Sequence, residues 1–207
     1  MSRAAHDFAA DWAACWPAGK APGELLAALL QAWGEPERHY HGLQHLAECL
    51  AHWRASRHLA QQSGEVGLAL WFHDAVYAPR AADNEARSAA WASEALQAGG
   101  LAAAVAARVA DLVMATCHHA APAPGDASLV VDIDLAILGA VPARFAEYEA
   151  QVRAEYAWVE ETMYRRKRRE VLARFLARDQ IYRTGYFCTR FEQAARANLV
   201  GALARLV

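Results

Sequence analysis

Apolar and polar residues follow one another along this chain with a three-to-four-residue period almost throughout, the spacing that gives an α-helix one buried stripe. Across residues 42–62, Leu43, Leu46, Ala47, Leu50 and Trp53 recur at that interval, while His41, His45, Glu48 and His52 fall on a second face. The segment 65–77 is apolar nearly all round through Trp71 and Phe72, which predicts a central, buried helix whose end carries His73-Asp74. Further helices are expected over 84–97, opened by the acidic cap Asp83-Asn84-Glu85, then over 101–118, over 142–177 with one break, and over 187–206. Glycine and proline breakers at 17–22, 34–36, 64, 78–83, 99–100 and 122–125 separate these intervals, each of which fits a helix.

Composition agrees with the pattern. Alanine, leucine and arginine dominate, and β-branched residues are scarce outside Leu129-Val130-Val131 and Ile133, so an all-α fold in one compact domain over 1–207 is expected. With 207 residues, 56% of them hydrophobic and 21% charged, the chain can bury a substantial core unaided. A formal net charge of −2 and a pI near 6.5 give no global attraction to nucleic acid or an anionic membrane. The run Arg165-Arg166-Lys167-Arg168-Arg169 spreads round a whole helix with Glu160, Glu161 and Glu170 beside it, so it reads as a paired, solvated face rather than a nucleic-acid site.

Cys15, Cys49, Cys117 and Cys188 form no C-x-x-C pair, which fits free thiols in a reducing cytoplasm. No window reaches the roughly 18 uninterrupted apolar residues of a membrane span, and the Ala/Trp-rich N-terminus lacks the features of a signal peptide. A cytoplasmic protein without a membrane partner is the expectation.

Candidate chemistry gathers at three places. His-Asp occurs twice, and His6-Asp7 reads as chance. His73-Asp74 ends an apolar helix, where a partly buried charged pair is costly unless something such as a divalent cation satisfies it. Imidazole nitrogen with carboxylate oxygen suits Mn, Fe, Co, Ni, Zn or Mg and leaves positions open for water and substrate. His41 and His45 are four residues apart, so on a helix they share a face, although such a pair alone is more often an ordinary core or surface arrangement. Asp132 and Asp134 interrupt the apolar run from Val130 to Leu135 and so demand a partner, a helix cap being the competing explanation.

In the order H…HD…D, His45, His73-Asp74 and Asp134 resemble the HD superfamily of metal-dependent phosphohydrolases. More narrowly, Arg38-His39-Tyr40-His41 with His45, the stretch from Trp71 to Tyr77, Asn84-Glu85 with Ser88-Ala89, and the stretch from Asp132 to Gly139 are similar to a bacterial subgroup of predicted HD phosphohydrolases. The similarity runs on through Arg153-Ala154-Glu155-Tyr156 and residues 192–199. It implies an HD-type helical bundle with a metal-binding core over about 38–140 and C-terminal helices over 142–206. It implies His45, His73 and Asp74 as ligands, with Asp134 the preferred fourth and Asp132 the alternative. His41 is then a general acid for the leaving oxygen, or else a histidine that orients a ligand. Glu85 acts on the attacking water or is only a helix-start acid, and Arg38 with His118 or His119 binds substrate phosphate. Asn84 stands where members with two ions usually carry a histidine, and an amide is the poorer ligand, so one ion is favoured over two.

The implied activity is hydrolysis of a phosphomonoester, phosphodiester or nucleotide phosphoanhydride by metal-activated water, on a small phosphorylated substrate, nucleotides and guanosine tetraphosphate alarmones included. Two other classes stay open. One is an HD-fold diiron oxygenase using His118, His119 and Glu85 as further ligands, and the other is a non-catalytic nucleotide-binding module. No residue pattern reads a base or a sugar, and assembly as a homo-oligomer stays open.

Overall fold

A computed structural model of the chain describes residues 6–117 and 123–206. Among them lie α1 (Phe8–Cys15), α2 (Gly23–Trp33), α3 (Leu43–Ser56), α4 (Ser63–Phe72) and α5 (Asn84–Ala98). The second half holds α6 (Ala103–Met114), α7 (Asp126–Asp134), α8 (Pro142–Glu155), α9 (Glu161–Leu176) and α10 (Gly185–Arg205). Among the described residues there is no strand, and the all-α expectation is met.

Helix α4 is the centre of the bundle, as its pattern predicts. Every residue from Glu65 to Phe72 is buried, and α1, α3, α5, α6 and α7 all pack on it. A buried acid needs a partner, and Glu65 takes both arms of Arg108 at 2.9 and 2.6 Å. Close packing also depends on Gly67, where a side chain would run into Cys15 Sγ and, at 2.9 Å, the Trp53 ring. Three indoles stitch the layers through main-chain carbonyls: Trp12 to Pro22, Trp53 to Ser63, and Trp33 to Trp71 at 2.9 Å. These three indoles pair burial with a hydrogen bond, whereas the N–H groups of the buried Trp16 and Trp71 have no partner among the described residues.

Helix ends depart from the periodic pattern where side chains compete for backbone groups. The helix expected over 65–77 stops at Phe72, because the Trp71 carbonyl accepts from Trp33 and the Leu70 carbonyl accepts from the His73 ring at 2.8 Å. His73 is thus a C-cap and Asp74 lies in the turn beyond it. The 42–62 helix begins at Leu43, which leaves His41 in the preceding turn rather than on the helix face expected for it. The break within 142–177 falls at 156–160, where Arg153 holds the Tyr156 and Val159 carbonyls and the Glu160 carboxylate caps α9. The acidic cap expected for α5 is also replaced: Asp83 makes no side-chain cap bond, and the Asn84 amide instead bonds both polar groups of the Ala78 main chain at 3.1 and 3.0 Å.

The β-branched run at 129–133 forms α7, a helix that periodicity does not reveal because it is buried almost all round. Its first residue, Asp126, accepts from the Gln61 and Gln62 amides and so ties α7 to the start of α4. This pairing sets the C-terminal ends of α4 and α7 side by side with the start of α3. His73, Asp134 and His45 come together there.

Candidate metal centre

Four side-chain atoms converge where those three helices meet. His45 Nε2 lies 3.1 Å from His73 Nε2 and 3.2 Å from Asp134 Oδ1. Asp74 Oδ2 is 3.2 Å from His73 Nε2 and 3.8 Å from His45 Nε2, and Asp134 Oδ1 is 3.6 Å from His73 Nε2. Ligands about 2.1 Å from a first-row or magnesium ion stand about 3.0 to 3.4 Å from one another, a range that holds the 3.1 and 3.2 Å contacts and that the 3.6 and 3.8 Å contacts exceed. The two imidazoles are buried, whereas the Asp74 and Asp134 side chains are 16% and 14% exposed, leaving one side open.

The tautomer of His73 supports the same conclusion. A carbonyl can only accept, so the 2.8 Å contact with Leu70 O puts the proton on Nδ1 and turns the Nε2 lone pair towards the cluster. Acceptors alone would repel one another there. In the ion-free protein, burial works against the His73 cation, but Asp74 and Asp134 outweigh it and hold the ring above the ordinary histidine value. Burial conversely raises Asp74, and attraction to His73 overcomes it and holds this carboxylate below its ordinary range.

Cys49, one turn beyond His45, is a donor that sequence reasoning did not single out. His45, Cys49, His73 and Asp134 each offer an atom within 4.8 Å of the others, a group that can hold a metal ion. Its Sγ is 3.7 Å from His45 Nδ1 and 3.8 Å from His45 Nε2. Near-equal distances place the sulfur beside the ring rather than in front of the Nε2 lone pair. Burial also pushes this thiol well above its usual range, so it stays protonated.

Asp132 and Asp134, adjacent on the sequence run, have separate surroundings. The buried Asp132 carboxylate accepts from the Arg183 amide, the Thr184 amide and the Thr184 hydroxyl at 2.7 to 2.8 Å, anchoring the approach to α10. Asp134 alone of the two faces the imidazoles.

Beside the cluster, His41 is joined to Glu155, a buried acid at the end of α8. His41 Nδ1 meets Glu155 Oε2 at 2.7 Å, the same oxygen accepts from the Tyr77 hydroxyl at 2.9 Å, and Oε1 accepts from the Tyr40 and His41 amides. The His41 ring stacks on Tyr77 with centroids 4.2 Å apart. Burial disfavours the His41 cation, but the bond to Glu155 and the charges of Asp74 and Asp134 prevail and raise its pKa. Glu155 was not among the expected site residues. Its only signal was an acid inside the Arg153-Ala154-Glu155-Tyr156 similarity.

Arg38, expected at the substrate, is engaged by the main chain. Its guanidinium donates to the carbonyls of Asp74 at 2.5 Å, Ala75 at 2.9 Å and His41 at 3.4 Å, and its Nε to Glu35. Only 3% of the side chain is exposed. It clamps the turn carrying Asp74 to the turn carrying His41. Ser88 assists by accepting from the Val76 amide at 3.0 Å. Glu85 sits half-buried in the first turn of α5, close enough to Cys117 that its charge, after burial, helps raise that thiol. His118 and His119 lie outside the described residues.

Two cavities flank these groups. A cleft of about 240 Å³ is lined by His45, Asp134, Cys49, His52 and Arg144, the last paired with Glu48 at 2.7 and 3.0 Å. A separate pocket of about 310 Å³ is lined by His41 and a group of tyrosines. The basic run at 165–169 does not form a stripe: Arg168 is buried against Glu149, Lys167 pairs with Glu170, and Arg165 lies near Glu161. No described helix is long and apolar enough to cross a membrane. No family model, curated protein or solved structure matches this chain.

Proposed function

We propose that the protein is a metal-dependent phosphohydrolase of the HD type, holding one divalent cation with His45, His73, Asp74 and Asp134. The observation that carries this reading is the convergence of these four acceptor atoms at 3.1 to 3.8 Å, with the His73 lone pair aimed among them. Asp74 is favoured over Cys49 as the remaining ligand because the sulfur stands beside the His45 ring, out of reach of an ion on its Nε2 axis. One ion is favoured over two because the Asn84 amide is engaged on both sides by Ala78.

A bound cation of this kind supplies Lewis acidity, lowering the pKa of water and withdrawing charge from a phosphoryl group. The protein's own part is positioning and proton transfer. His41 carries its proton at Nδ1 towards Glu155 and presents Nε2 as the second titratable edge. As a cation it donates from Nε2 to the departing oxygen, and the Glu155 carboxylate stabilises that cation until the proton leaves. Arg38 fixes the relative position of acid and ligand by gripping both turns at once.

The test is to strip the protein of metal, reconstitute it separately with Mn, Fe, Co, Ni, Zn or Mg, and assay phosphomonoesters, phosphodiesters and nucleotides. Turnover restored by one or more ions at about one ion per chain is the expected outcome. Stoichiometric metal binding with no phosphate ester cleaved in any ion would overturn the hydrolase reading.

A further inference from the structure

The pocket beside His41 has a lining unlike that of the cleft beside His45 and Asp134. Tyr40, Tyr148, Tyr156 and Tyr164 contribute to its walls together with His41 and Arg168. The rings are already ordered: Tyr148 packs on Tyr40 at 4.5 Å between centroids, and the Arg168 guanidinium lies over Tyr148 at 5.0 Å. Arg168 is buried, pairs with Glu149 through one arm, and its Nε–H has no hydrogen-bond partner.

Proton delivery gives this chemistry a direction. A general acid must touch the departing oxygen, so the leaving group lies on the side His41 faces, whereas the phosphoryl group belongs over the four ligands. Those two demands fall on two different cavities here. About 310 Å³ is at the small end for organic ligands, enough for one or two rings and too little for a macromolecule.

We propose that the tyrosine pocket beside His41 is the leaving-group subsite and selects phosphate esters whose alcohol carries an aromatic ring. This rests on the phosphohydrolase reading above. Hydrolysis breaks the bond from phosphorus to the ester oxygen, water supplies the new oxygen on phosphorus, and the alcohol leaves with the proton from His41. The ring would stack among the tyrosines.

Benzyl phosphate and cyclohexylmethyl phosphate test it, because their alcohols match in size and basicity and differ in the ring. The reconstituted enzyme is expected to favour benzyl phosphate by about 5- to 10-fold in kcat/KM. Val171→Trp, at a half-buried position on the pocket wall, should lower benzyl phosphate turnover at least about tenfold and methyl phosphate turnover no more than about twofold. Free benzyl alcohol should bind the wild-type protein, read by saturation-transfer NMR, and not the Val171→Trp variant. Equal turnover of the benzyl and cyclohexylmethyl esters, with no alcohol binding, overturns the subsite while leaving the hydrolase reading intact. Alcohol binding that Val171→Trp abolishes, with no ester cleaved, overturns the hydrolase reading and keeps the aromatic site.

Discussion

Glu155 Oε2 and His41 Nδ1 are joined at 2.7 Å across 114 residues of sequence, and this bond links the last turn of α8 to the turn before α3. The carboxylate has no lone pair to spare: it also serves the Tyr77 hydroxyl and the amides of Tyr40 and His41. A single buried acid therefore sets the orientation, tautomer and charge of the candidate proton donor.

Glu155→Gln is expected to shift the alkaline limb of the kcat/KM profile to lower pH and to reduce the maximum about 10- to 100-fold. The amide can still accept from the Tyr40 and His41 amides, but its NH2 faces His41 Nδ1 and favours a neutral ring protonated at Nε2. Stability should follow the same pair. His41 is raised from 6.5, so its contribution is complete below 6.5 and is lost as pH rises through the raised value. Glu155 is lowered from 4.5, so its contribution is complete above 4.5 and is lost as pH falls through the lowered value. The wild type should thus exceed Glu155→Gln in melting temperature most between about pH 4.5 and 6.5. An identical pH profile for both proteins would separate Glu155 from proton transfer.

That bond also marks the limit of what the sequence makes legible. The apolar stripe of Leu46, Leu50 and Trp53 and the all-round burial of α4 follow from periodicity, because burial acts on every turn of a helix. Charged groups at the ends of apolar runs demand partners, which draws out His73-Asp74 and the pair Asp132 and Asp134, whereas His45 and the preference for Asp134 come from the resemblance to the HD superfamily. The end of α4 at Phe72, the clamp by Arg38 and the choice of Glu155 depend on single bonds to main-chain groups tens of residues away, which leave no period behind. Asp132 and Asp134 are equivalent by the burial argument, and only the position of the Arg183 and Thr184 amides separates them.

Asp134→Asn and Asp132→Asn should consequently fail in different ways. Asp134→Asn, His73→Ala and Asp74→Ala are expected to lose metal in equilibrium dialysis and turnover together. Asp132→Asn should retain metal at the wild-type ratio while losing about 1 to 3 kcal/mol of stability, since its NH2 would oppose an amide or hydroxyl donor before α10. Metal loss from Asp132→Asn with full retention by Asp134→Asn would reverse the assignment.

The tight crossing of α1, α3 and α4 can be probed at Gly67. Gly67→Ala should destabilise by about 1 to 3 kcal/mol, because a methyl there meets Cys15 Sγ and the Trp53 ring in a packed core. Cys15→Ala should partly rescue it by removing the sulfur, giving a favourable coupling in a double-mutant cycle measured by denaturant unfolding. Strict additivity would mean that Trp53, at 2.9 Å, is the obstacle rather than Cys15.

Arg38 offers the clearest separation of positioning from contact with substrate. Its planar group spans the carbonyls of Asp74, Ala75 and His41 while lying 5.9 Å from Trp33 and 5.7 Å from Tyr77. Lysine carries the same charge at a single point and cannot bridge three carbonyls, so Arg38→Lys should behave much like Arg38→Gln. Both are expected to weaken metal affinity about 10- to 100-fold, as changes behind a ligand do, because the turn presenting Asp74 loses its anchor. A residue that binds substrate phosphate would instead keep metal affinity, raise KM in the glutamine variant, and be partly restored by lysine. Metal titration of the two variants by calorimetry, set beside their KM values, distinguishes the outcomes, and unchanged metal affinity with lysine rescue of KM would return Arg38 to the substrate.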